Sequence, residues 1–85
     1  MGTRVAVVSV IVENMESVEK LNSIFHDYNQ YIIGRMGIPY RQKNISIISV
    51  VIDAPQDEIS ALSGRLGRLD GVNSKVAYSN VITGA

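Results

Sequence analysis

Asn44-Ile-Ser-Ile-Ile-Ser-Val-Val-Ile-Asp53 is filled almost end to end by β-branched residues and closed by a polar residue at each end. As a strand, its inner residues span roughly 26 Å, and Ile and Val suit a pleated, buried surface. Such a strand belongs in the middle of a sheet. A second run of the same kind, Arg4-Val-Ala-Val-Val-Ser-Val-Ile-Val12, stops at Glu13-Asn14, where Asn14 can cap a following helix.

Outward from these two strands, the periodicity changes. Val18, Leu21, Phe25 and Tyr28 form one stripe of a helix running from Met15 to about Tyr28. Tyr31 to Met36 reads as a shorter strand, and Gly37 to Lys43 as a loop punctuated by Gly37 and Pro39. After Asp53 the chain turns at Ala54-Pro55. Pro55 suits the first helical position, and Asp57 and Glu58 complement the helix dipole. Ile59, Leu62, Leu66 and Leu69 make a second stripe that Asp70-Gly71 ends, and Val72 to about Val81 gives a last, more polar strand.

These segments repeat. Adding 41 carries Val18, Leu21, Phe25 and Tyr28 onto Ile59, Leu62, Leu66 and Leu69, and adding 40 carries Val5, Val7, Ser9 and Ile11 onto Ile45, Ile47, Ser49 and Val51. The order is βαβ followed by βαβ. This predicts an α+β, ferredoxin-like βαββαβ two-layer sandwich, one domain over residues 1–85. Its antiparallel sheet has the order 4-1-3-2, and the right-handed crossover rule puts both helices on one face.

In such a sheet the outer face should be polar. Here both faces of the central strands are apolar. The more continuous set, Val8, Val10, Val12, Ile48, Val50 and Ile52, is assigned to the helices. That leaves Val5, Val7, Ile11, Ile45, Ile47 and Val51 around Ser9 and Ser49 on an open face. A patch of several hundred Å² exceeds what soluble monomers usually expose. A second copy is the expected cover, making a homo-oligomer, dimer or tetramer, with a different protein partner as the alternative.

The composition excludes several classes. Lys+Arg and Asp+Glu balance at 8 each with a pI near 6.5, so no basic field exists to hold nucleic acid or an anionic membrane directly. The absence of cysteine removes disulfides and thiolate chemistry and agrees with a cytoplasmic protein. The lone His26 makes no metal site within one chain, and no nucleophile, acid–base pair or phosphate fingerprint stands out. No enzyme activity, catalytic residue, metal or cofactor is expected.

Two segments remain as binding candidates. Gly34 to Lys43 carries Arg35, Gly37, Tyr40 and Arg41, a mixture that can gather an anionic small-molecule effector through guanidinium and backbone N–H groups, or can be a connection with solvated charges. The second helix has a small-residue side with Gly64 and Gly67, which accommodates a close partner or a tolerated weak helix end.

Ile33-Gly-Arg-Met-Gly-Ile-Pro-Tyr40, the strand Ile45 to Asp53, and Asp57-Glu-Ile-Ser-Ala-Leu-Ser-Gly-Arg-Leu-Gly-Arg-Leu-Asp-Gly-Val72 together resemble the family of iron-only hydrogenase system regulators, over nearly the whole chain. The resemblance implies an ACT-like domain similar to the C-terminal domain of the nickel-responsive repressor. Two departures bear on mechanism. The first turn is Val12-Glu-Asn-Met15, without the glycine that amino-acid-binding ACT domains usually place there, and His26 alone cannot reproduce the repressor's nickel ligands. Two functions are therefore expected as alternatives. One is an oligomerising regulatory module that holds a ligand or partner between subunits. The other is a structural or adaptor protein with no small-molecule ligand.

Overall fold

The computed structural model describes residues 2–83. Four strands, β1 (Thr3–Val12), β2 (Ile32–Tyr40), β3 (Ile45–Ala54) and β4 (Val72–Thr83), form one sheet. Helices α1 (Val18–Asp27) and α2 (Gln56–Gly67) cover one of its faces. The spatial order is β2-β3-β1-β4 with every pairing antiparallel, the expected ferredoxin-like arrangement.

β1 and β3 pair through Ser9 opposite Ser49, Val7 opposite Val51 and Ile11 opposite Ile47. The sequence repeat thus becomes a local two-fold passing between the two serines. On the inner face Ala6, Val8, Val10 and Val12 and their β3 counterparts Ile48, Val50, Ile52 and Ala54 are buried. They lie against Leu21, Ile24 and Phe25 of α1 and Ile59, Leu62 and Leu66 of α2. Burying each such side chain contributes about 1.5–3 kcal/mol, so the helix stripes and the even-numbered strand positions hold the two layers together.

Local chemistry sets the element ends. Asn14 accepts from the Glu16 N–H at 3.0 Å, capping a 3-10 turn at Met15–Ser17 that leads into α1, so the first turn of the expected helix is wound more tightly. Pro55 precedes α2 as its N-cap instead of opening it, and its carbonyl accepts from Glu58 and Ile59. α2 stops at Gly67, four residues before Gly71, although Leu69 still packs against the core. An ion pair of 3.0 Å from Arg65 to Asp27 ties the helices together. The hydrogen bond Arg65 donates to Asp27, ahead of its interaction with Tyr28, raises the Arg65 pKa above its ordinary value.

The largest correction concerns β2. It continues through Gly37 and Pro39 to Tyr40, where a strand ending at Met36 and then a loop are expected. β2 is an edge strand with one neighbour, so half of its N–H groups have no ladder partner and a proline is tolerated there. The actual connection is a 3-10 turn at Arg41–Lys43, closed by Asn44 in the left-handed region at φ 54°.

The turn between α2 and β4 locks onto the turn between β1 and α1. The Glu13 N–H donates to the Gly71 carbonyl at 2.6 Å, Ser17 Oγ to the Asp70 carbonyl at 2.7 Å, and Asn14 Nδ2 to Asp70 Oδ2 at 2.8 Å. Gly71 has φ +67°, and a Cβ added there would stand 2.5 Å from Asn14 Cβ. Conformation and space therefore both demand glycine. Gly71→Ala is expected to cost about 2 kcal/mol or more in urea unfolding, through left-handed strain and displacement of Asn14.

Candidate functional site

The face of the sheet away from the helices is the candidate site. Side chains alternate along a strand, so the register of β2 on β3 decides which β2 residues join it. Met36 lies opposite Ser49, Ile38 opposite Ile47 and Tyr40 opposite Ile45, which puts all three on the open face. Ile11, Met36, Ile38, Tyr40 and Ile47 each keep 40–60% of their surface exposed. Val5, Val7, Ile45 and Val51 fill the spaces between them and are half-buried.

Three strands thus present one apolar surface, where two are expected from the sequence. The fourth breaks it. β4 places Asn73 opposite Ile11, Lys75 opposite Ser9 and Ala77 opposite Val7, so its side of the face is polar beside Ser9 and Ile11 and offers only a small methyl beside Val7. The apolar patch is therefore centred on β3, not midway between β1 and β3. At its end Asp53, opposite Val5, belongs to the same face by alternation. Its Oδ1 is out of contact with solvent and has no hydrogen-bond partner among the described residues.

The binding candidates fall on several surfaces. Arg35 pairs in register with the buried Val50, so it rises on the helix side of β2. There its guanidinium stands 4.9 Å from the centre of the Phe25 ring and donates to Asn22 Oδ1. Both contacts are with α1, which makes Arg35 a clamp between the edge strand and the helix. Gly37, opposite Ile48, lies on that side too. Arg41 begins the 3-10 turn beyond Tyr40, about 20 Å from Arg35 at roughly 3.3 Å per strand residue. The two cations do not converge. Tyr40 Oη donates to Gln42 Oε1 at 3.0 Å, which leaves its ring on the open face beside Arg41.

Gly64 and Gly67 lie on the side of α2 turned away from the core leucines and from Arg65, which faces α1. Among the described residues, a Cβ at either position would meet no neighbouring atom within 4 Å. The described residues enclose no ligand-sized cavity and contain no group of three His, Asp or Glu able to hold a metal. No helix among them is long and apolar enough to cross a membrane. The first turn is occupied by the chain itself, because the Glu13 N–H is already bonded to Gly71.

Arg35→Ala is expected to lower stability by about 1 kcal/mol in urea unfolding, the loss of one cation–π contact and one exposed hydrogen bond.

Comparison with known proteins agrees with this architecture. A family model described as "TM1266-like: Iron-only hydrogenase system regulator, putative" matches residues 4–76. The solved structure of the uncharacterized protein TM1266 from Thermotoga maritima is 31% identical, superposes with a TM-score of 0.86, and is covered over 89% of this chain and 96% of that one. A formyltetrahydrofolate deformylase from Pseudomonas putida KT2440 shares the fold, with a TM-score of 0.66 at 14% identity. It covers 91% of this chain, which spans 29% of the deformylase. No match is found among the curated proteins. By the extent of the family match and the identity to its structural representative, the chain belongs to the TM1266-like family of iron-only hydrogenase system regulators.

Proposed function

We propose that the chain is a regulatory module that works as a homo-oligomer, its open sheet face closed by a second copy, and that effectors or partners act by shifting this assembly. The observation that carries the reading is the run of exposed Ile11, Met36, Ile38, Tyr40 and Ile47 on adjacent strands. Monomers seldom leave so continuous an apolar surface in water, and closed homo-oligomers are the commonest way to cover one. A self-associating domain can regulate without catalysis, because whatever binds one assembly better than another shifts the population.

Tyr40 and Arg41 stand at the rim of this face, where an anionic effector would meet both the aromatic ring and the guanidinium next to the boundary between copies. The adaptor reading draws on a different surface. Gly64 and Gly67 answer no packing need among the described residues, which leaves that side of α2 open to a partner protein. Saturable thermal stabilisation by a panel of anionic metabolites, lost on Arg41→Ala, supports the effector reading; a flat panel favours the adaptor.

Ile38→Glu and Ile47→Glu are each expected to convert the protein to a folded monomer, read by light scattering coupled to size exclusion, with the circular dichroism spectrum unchanged. A wild-type protein that is monomeric at tens of micromolar would overturn the self-association reading.

A further inference from the structure

We infer that Asp53 is completed by the Arg41–Lys43 turn of a second copy, so that the two sheets pack with their β3 strands running in opposite directions. This inference rests on the self-association proposed above and deepens it.

On β3 the apolar part of the open face runs from Ile45 to Val51, with its midpoint at the level of Ile48. β3 is also the middle strand of the three that carry apolar side chains. A two-fold axis relating two copies face to face lies in the plane between the sheets, and burying the whole patch requires it to cross β3 near that midpoint. In the aligned class of sheet-on-sheet packing, the axis then runs along the strands or across them.

These solutions differ in what they do to Asp53. With the axis along the strands, levels are kept, and each Asp53 faces the same residue of its partner. Two carboxylates, each already holding an oxygen without solvent or a hydrogen bond, would then meet inside an apolar interface. Like charges opposed in this way are strongly unfavourable. With the axis across the strands, levels are reversed about Ile48. Asp53, five residues to one side, comes over the position five residues to the other side, which is Lys43.

Lys43 and Arg41 have no side-chain partner among the described residues. Their long side chains can absorb the offset that sheet twist gives two aligned sheets, roughly 30° between strand directions. An orphaned acceptor and two unpartnered cations at opposite ends of one strand are the complementarity that a self-associating face needs, since each pair then forms twice. Within one chain the two groups are about 30 Å apart at roughly 3.3 Å per residue, so they cannot pair internally.

Charge exchange tests the arrangement. Asp53→Lys is expected to weaken self-association about tenfold in sedimentation equilibrium, and adding Lys43→Asp to the same chain to recover most of that loss, because a restored pair can form only between copies. The natural chain has no cysteine, so single-cysteine variants give an independent reading. An equimolar mixture of Asp53→Cys and Lys43→Cys proteins should form a mixed disulfide under mild oxidation, while neither variant alone forms a dimer. Cross-linking of Asp53→Cys to itself would place the axis along the strands and overturn the inference. So would an associated wild type in which Lys43→Asp fails to recover the loss and no mixed disulfide forms. A monomeric wild type would remove the self-association reading itself, and this inference with it.

Discussion

The antiparallel pairing of β1 with β3, with Ser9 opposite Ser49, is the constraint on which the rest depends. Both strands are apolar on both sides. The inner side, from Ala6 to Val12 and from Ile48 to Ala54, has to be roofed, and the stripes of α1 and α2 supply the roof. Small domains are stabilised by only about 5–15 kcal/mol in total, and an 85-residue chain buries a modest share of its surface. The outer side is a second apolar surface that no other element among the described residues covers.

The local two-fold through the serines would make the outer face symmetric if the edge strands matched. They do not. β2 adds Met36, Ile38 and Tyr40, whereas β4 adds Asn73 and Lys75 beside Ala77. The edges thus turn a duplicated core into a face with a preferred centre, a polar flank and a charged group at each end of β3. That asymmetry means a second copy closing the face, as proposed, would have one favoured way to seat on it. The turn between β1 and α1 is closed locally, since the Asp70-Gly71 turn takes the Glu13 N–H, Ser17 Oγ and Asn14 Nδ2 as donors.

Much of this was legible in the chain because the determining signals are local and periodic. The β-branched runs of β1 and β3, the two helix stripes and their offset are enough to order the strands and to tell the inner face from the outer one. The second half of β2 was not legible. Gly37 and Pro39 are turn residues by local chemistry, and only the position of β2 at the sheet edge lets them lie in a strand. With β2 read short, Met36, Ile38 and Tyr40 could not be placed beside Ile47 and Ser49, and Arg35 passed for a loop cation when its register sends it to Phe25 and Asn22. Gly71 read as a helix stop, although its requirement comes from Asn14, which is distant in sequence. Asp53 read as the polar end of a strand, and its stranded oxygen is visible only once the sheet is assembled.

The central claim is that the open face is covered by another copy of the chain, and its two described methionines probe this directly. Met36 lies on the face with 60% of its surface exposed in a single chain, while Met15, in the turn before α1, is exposed to 44%. Peroxide oxidation followed residue by residue with mass spectrometry compares the two in one sample. The account predicts that Met36 is oxidised several-fold more slowly than Met15 at concentrations where the protein is associated, and catches up on dilution. Oxidation of Met36 at least as fast as Met15 at every concentration would contradict it.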